Sequence, residues 1–440
     1  MNVDLTHGSI FRGLLRFSLP LMAGNLLQQL YNLVDTFVVG RYCGEIALAA
    51  VGSAFSVMIL LTSIVTGLCM GSGVVVSQLF GQKDDAGVRK AVGNAFVLIG
   101  GVSALLTILS YALLPVMMAL LRIPPEAQGV LSRYLLIVFI GIIPTFLYNF
   151  GACMLRAVGN STAPLVFLLI SSLTNVALDF LFVAVLPWGV AGAAVATLIS
   201  QVLSGFLCLG YVLFRVPALT PSQHDLRPDR ALFRRIFSVS AMTSIQQSIM
   251  NFGILMVQGL VNSFGTVIMA AFAAAVKIDS FAYMPVQDFG NAFSTYVAQN
   301  YGAGKSERIR KGIRSAGLTS AAFCILISVL VWAFAAPLMG IFVDPGQSEI
   351  IAAGVHYLRI EGACYIGIGI LFLLYGYYRA VNKPMMSVVL TIASLGTRVA
   401  LAYLLSATPL GVTGIWLSVP IGWALADAIG IGYYLKTKTA

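Results

Sequence analysis

Two carboxylates, Asp35 and Asp179, stand inside long apolar segments, 24–40 and 165–186, where a charge is expensive. A charged side chain near a bilayer centre costs about 2.5–3.5 kcal/mol on insertion scales, so such residues face a wet or paired interior and mark ion pathways. Asn175 precedes Asp179 by four residues and shares its helix face, while Thr197 lies on the next apolar segment. At 1.5 Å of rise per residue, Asp35, Asp179 and Thr197 each fall roughly 10 Å below the outer ends of their segments, which puts them at one level. Two carboxylates, an amide oxygen and a hydroxyl form a hard oxygen set that suits a proton or Na+. The set lacks the soft or imidazole ligands of a transition metal, so no metal beyond Na+ is expected. A second group of charges, Lys277, Asp279, Glu361 and Arg398, falls at broadly similar depth in the second half, where charge pairing is expected.

The elements that position these residues are set by composition. Of the 440 residues, 59% are hydrophobic and only 10% charged, and the mean hydropathy is +0.93, too apolar for the surface of a soluble globule. About twenty apolar residues span a bilayer as a helix, and about twelve such stretches can be counted, with short polar links. The alternating ten-residue pattern of a membrane barrel is missing, so backbone hydrogen bonds must be satisfied within helices. The expectation is an all-α integral membrane protein with twelve transmembrane helices. The N-terminal residues run into a long first span without a small-residue cleavage site and read as retained. Six cysteines on separate segments, with no CxxC spacing, read as small packing residues.

The formal charge of +10 follows from topology rather than from nucleic-acid binding. Basic residues gather in alternate loops, as cytoplasmic loops do, and the opposite side keeps only Arg41, Arg122, Arg133 and Arg359. Both termini are therefore expected in the cytoplasm, with the chain crossing the cell inner (plasma) membrane many times.

An internal duplication organises the spans. VSQLFGQKDDAGVRKAV at 76–92 aligns without a gap on VAQNYGAGKSERIRKGI at 297–313, and 156–181 aligns on 379–404. Six spans per half is an even number, so the two six-helix repeats are parallel, as in one group of transporters. The expected organisation is an N-terminal lobe at 1–215, a cytoplasmic linker at 216–235 rich in Pro, Arg and Asp, and a C-terminal lobe at 236–440. Between halves, Asp179 corresponds to Ala402, Asn175 to Arg398 and Thr197 to Val419. Only the first half carries the acidic polar set.

YNLVDTFVVGR at 31–41, LRAVGNSTAP at 155–164, NVALD at 175–179 and PVQDFGNAFSTYVAQNYGAG at 285–304 together identify a resemblance over the whole chain to the multidrug and toxic compound extrusion (MATE) family. The resemblance implies a secondary antiporter that exports cationic, amphipathic drugs or metabolites in exchange for H+ or Na+ by alternating access of two lobes. It also implies that Asp35, Asn175, Asp179 and Thr197 occupy the cation-site positions of the N-terminal lobe seen in one branch of the family. Pro20 matches the proline at which the first helix bends there. In another branch the cation lies among acidic and aromatic residues of the C-terminal lobe, which leaves the coupling lobe open. The expected partners are a small cationic or amphipathic molecule and membrane lipid, with no cofactor besides the coupling ion, no nucleic acid and no nucleotide. A monomer is expected.

Competing readings are weaker. Gly304-Lys305-Ser306 resembles the end of a P-loop, but Gln299 stands where the first glycine belongs. A lipid-linked oligosaccharide flippase of the same superfamily would line its cavity with cations, for which only Lys277 and Arg398 are available. An intramembrane aspartyl protease would need signatures that the VDT and LDF surroundings of the two aspartates lack. No residues combine a nucleophile, a base and an oxyanion donor, so an enzyme is not expected.

Overall fold

In hydrocarbon no water is available to backbone N–H and C=O groups, so the apolar segments become helices. The computed structural model of the protein describes residues 3–120, 125–227 and 229–438, which include no strand; Arg122 lies outside the described residues. In the first half the helices are α1 (Ile10–Cys43), α2 (Glu45–Gly81), α3 (Asp85–Ala112), α4 (Leu114–Leu120), α5 (Pro125–Ile140), α6 (Ile142–Ala157), α7 (Thr162–Asp179) and α8 (Gly189–Arg215). The second half repeats the series as α9 (Arg230–Asn262), α10 (Thr266–Gly302), α11 (Ser306–Ala333), α12 (Ala335–Met339), α13 (Ser348–Gly362), α14 (Tyr365–Ala380), α15 (Pro384–Ser406) and α16 (Val412–Lys438).

Eight of these helices are long and apolar enough to cross a membrane alone. Two further spans are broken helices, α5 with α6 bent by 42° and α13 with α14 bent by 51°. Helices α1 and α9, of 34 and 33 residues, have the length of a span but carry more polar residues. The twelve-span architecture follows, with the broken span at the same place in each half. The duplication also appears in the backbone. Left-handed residues recur in matching turns: Gly44 and Gly265, Lys83 and Gly304, Gly159 and Asn382, Gly189 and Gly411. Large apolar side chains such as Leu105, Ile108, Phe206, Leu318 and Ile325 point outward, as a lipid-facing surface requires.

The chain divides into two compact units. One comprises Met1–Asp4 and Leu19–Ser244, the other Leu5–Ser18 and Ile245–Ala440. The residues expected to form a linker belong to the first unit, and specific contacts explain why. Asp225 accepts from the Ser222 N–H and hydroxyl (2.9 and 2.8 Å) and lies 3.8 Å from Arg89. The Asp229 N–H donates to Asn94 Oδ1 at 3.1 Å. The start of α9 then runs against α2, where Gly67 and Gly71 face Ser244 and Ser240 with no room for a side chain.

The second unit holds the turn ahead of α1 by capturing its carbonyls. Asn300 and Arg308 both donate to Leu5 O, Lys305 to Thr6 O, and Arg308 also to His7 O and Gly8 O. The boundary between units crosses α1 between Ser18 and Leu19, beside Pro20, whose ring removes one backbone donor from the helix. Inside this unit α10 and α14 approach closely at Gly290 and Gly376, where a Cβ on either would press on backbone of the other helix.

Candidate functional site

In the first unit, α7 presents Asn175 and Asp179 on one buried face, at 2% and 0% exposure. Asp179 is the last residue of α7, and the chain continues as a wider π-helical turn over Phe180–Val185, with Leu186 N bonded to Leu181 O at 2.8 Å. Gly192 of α8 accommodates that turn, since a side chain there would meet Phe182. Such turns add a residue to the helix and commonly accompany functional sites. Asp35, on α1, is half-buried and its charge and that of Asp179 act on each other.

Among the described residues, five buried polar atoms at this place have no hydrogen-bond partner: Asp35 Oδ1, both side-chain polar atoms of Asn175 and both carboxylate oxygens of Asp179. Buried polar groups are normally bonded, so four orphaned acceptor oxygens beside the orphaned Asn175 amide donor call for a cation, a proton or water. The donor set fits H+ or Na+, being oxygen throughout apart from the amide nitrogen. Thr197 is half-buried on α8 and makes no hydrogen bond to the other three. Its level is fixed by Ser171, which donates to Ser200 O at 2.7 Å. In that antiparallel register Thr197 stands level with Asn175.

Two tyrosines near these acids were not singled out by sequence reasoning. Tyr31 and Tyr134 both lie within the fields of Asp35 and Asp179. Tyr31 precedes Asp35 by four residues, so the spacing that paired Asn175 with Asp179 would have found it. Tyr134 comes from α5, and nothing in its local sequence marks it.

The second unit holds another buried acidic pair. Tyr357 of α13 donates its hydroxyl to Glu361 Oε2 at 2.7 Å and lies 3.4 Å from Asp279 Oδ2 of α10. Its ring is fixed edge-on to Phe272 and Trp416, at centroid distances of 5.5 and 4.9 Å. Arg398 of α15 acts on both acids and offsets part of their charge. Glu361 sits one residue before the end of α13, at the break of the bent span. Three of the four charges expected in this half therefore come together. Lys277 does not join them: it is exposed, with its ammonium 5.9 Å from the Phe342 ring centroid. The reason is helical, because residues two apart point to different sides and Lys277 is two before Asp279.

The duplicated helices agree with comparison to known proteins. The MatE family model matches residues 20–181 and again 240–404. The chain belongs to the MatE family. The double match is the internal duplication in another form, one copy in each half. Among relatives, the probable multidrug resistance protein YpnP of Bacillus subtilis is 29% identical over 432 residues, covering 98% of this chain and 96% of YpnP. A protein of Shewanella oneidensis named as an FAD transporter is 25% identical, covering 99% and 96%. The solved outward-facing structure of a multidrug resistance MATE family transporter superposes with a TM-score of 0.91 at 24% identity, over 98% of this chain and 96% of that one. This MatE chain is thus an all-helical, multi-pass membrane protein with the fold of that family.

Proposed function

We propose that this protein is a multidrug efflux transporter, a secondary antiporter that exports cationic amphipathic solutes in exchange for an inward H+ or Na+. The single observation that carries this reading is the cluster of orphaned buried oxygens on Asp35, Asn175 and Asp179. An inward cation and a cationic solute compete for the same acidic place, and binding of one is made unfavourable by the other. Two carboxylates that feel each other gain from either occupant. Alternating access of the two units completes the cycle, with Pro20, inside α1 and without a backbone donor, as the point at which that helix bends during the cycle. Thr197, level with Asn175, serves as a fourth oxygen-bearing side chain.

The Tyr357-bridged pair Asp279 and Glu361 is the competing place for coupling. Arg398 already compensates part of its charge, whereas among the described residues no cation acts on Asp35 and Asp179, so the first unit is the better candidate. Exchange of one H+ or Na+ for one singly charged solute moves no net charge, so the driving force is the ion's concentration gradient, about 1.4 kcal/mol for each tenfold. The relatives named for multidrug resistance support the cargo class, and the loop charges support a cell inner membrane location with cytoplasmic termini. The reading is of a transporter that does no covalent chemistry.

The test is counterflow in proteoliposomes with pH and Na+ gradients imposed separately. One gradient is expected to drive a fluorescent cationic dye, and Asp179→Asn and Asp35→Asn are each expected to abolish that dependence. Gradient-driven transport at the wild-type rate in either variant overturns the assignment.

A further inference from the structure

Three membrane-spanning helices of the first unit end around a cavity that the transport site does not use. It opens where α2 ends and α3 and α9 begin, has a volume of about 430 Å³, and is lined by Leu79, Asp84, Lys90, Asp229, Leu232 and Arg235 among others. Helices α2 and α3 are both long and apolar enough to cross a membrane, and the cavity lies where their apolar stretches give way to the charged residues Lys83 to Lys90, at the polar end of both. Its charges are balanced, two carboxylates against two cations.

Each carboxylate is held in place by its own helix. Asp84 Oδ1 accepts from the Gly87 N–H at 2.8 Å, and Asp229 Oδ1 accepts from the Ala231 and Leu232 N–H groups at 3.0 and 3.1 Å. One oxygen of each thus caps a helix and the other is left for a ligand. Arg235 is oriented by donating to Gln78 Oε1. The Lys90 ammonium makes no hydrogen bond or ion pair among the described residues.

A simple anion in this cavity meets two carboxylates, and a simple cation meets Lys90 and Arg235. A ligand that carries both signs a few ångströms apart satisfies all four groups. We propose that the cavity binds the headgroup of phosphatidylethanolamine, its phosphate on Lys90 and Arg235 and its primary ammonium on Asp84 and Asp229. Leu79 and Leu232 supply apolar wall for the glycerol end. The lipid is the source of the headgroup because the cavity stands where the bilayer presents it, and lipid recognition by charged pockets at span ends is an ordinary electrostatic event. The site is independent of the transport reading: it requires only that the chain span a membrane.

The test uses the full chain purified from mixed bilayers of phosphatidylethanolamine, phosphatidylcholine and phosphatidylglycerol, with retained lipid counted by native mass spectrometry. Phosphatidylcholine differs only in a methylated ammonium, and phosphatidylglycerol lacks the ammonium altogether. Phosphatidylethanolamine is expected to be retained roughly fivefold over both, the size of one exposed charge pair. The double variant Asp84→Asn/Asp229→Asn keeps both helix caps, since asparagine caps as well as aspartate, and is expected to lower phosphatidylethanolamine to the phosphatidylcholine level. Lys90→Gln, read in parallel, is expected to reduce retention of phosphatidylethanolamine while leaving the unfolding midpoint unchanged. Equal retention of phosphatidylethanolamine and phosphatidylcholine by the wild type overturns the proposal. So does preferential retention of phosphatidylglycerol, or a preference that survives both sets of substitutions.

Discussion

Gly71→Ala tests whether the seam between α2 and α9 is set by contact or by helix propensity, because the two arguments give opposite signs. An alanine in mid-helix is favoured over glycine by about 0.8–1 kcal/mol, so propensity alone makes the variant more stable. Against this, a Cβ at Gly71 would lie 2.7 Å from Ser240 N and 2.8 Å from Val239 O, and closer still to Ser240 Cα. Ordinary carbon contacts need about 3.5–4 Å, so α9 must withdraw by roughly 1 Å. The obstructing atoms are helical backbone and have no rotamer to change. Overpacking of this kind costs typically 1–3 kcal/mol, and the absence of any yielding side chain puts Gly71→Ala at about 2–3 kcal/mol before the propensity gain. The expected net loss is about 1–2 kcal/mol. Gly52→Ala is the internal control, on the same helix with nothing within 4 Å of a new Cβ, and is expected to be neutral or stabilising by up to about 1 kcal/mol. The protein carries its own reporter, since the free cysteines Cys69, Cys153, Cys208 and Cys324 are buried. A thiol-reactive fluorophore in a thermal ramp at fixed scan rate reads their exposure. The midpoint of Gly71→Ala is expected a few degrees below wild type and that of Gly52→Ala at or above it. Equal midpoints for the two variants refute the argument from close approach.

Two further outcomes follow from named contacts. Tyr357→Phe keeps the aromatic packing on Phe272 and Trp416 but removes the donor to Glu361, so it is expected to lower the unfolding midpoint through a loss of about 1.5–3 kcal/mol; an unchanged midpoint would show that the hydroxyl bridge is unimportant. In the segment ahead of α9, hydrogen bonds from Ser222 hold the Asp225 carboxyl below its ordinary value, helped by Arg89. A depressed carboxylate stabilises its native contacts above the unfolded value, near 4, and that contribution is lost as pH falls through the lower native value. Hydrogen exchange over 216–229 is therefore expected to be flat from pH 8 to 5 once corrected for intrinsic rates, and to rise below about 4. Asp225→Asn is expected to raise it at neutral pH, and a wild-type rise between pH 7 and 5 contradicts the account.

The sequence by itself determined the membrane setting, the twelve spans, the duplication and the shared helix face of Asn175 and Asp179. Each rests on a local regularity: apolar run length, repeated turns, and the rise and face of a single helix, which fix depth without knowledge of neighbours. The same local rule exposes one error, since Lys277 and Asp279 are two residues apart on α10 and were never able to share a side. Only the tertiary structure decided the rest. Tyr134 of α5 comes within the field of the first-unit acids, and Arg398 of α15 within that of Asp279 and Glu361, between helices far apart in the chain. The linker's adherence to the first unit and the capture of Leu5–Gly8 by Asn300, Lys305 and Arg308 are of the same kind. Which helix faces meet depends on packing at glycines and on side chains brought together across hundreds of residues, and no periodicity within one segment encodes that choice.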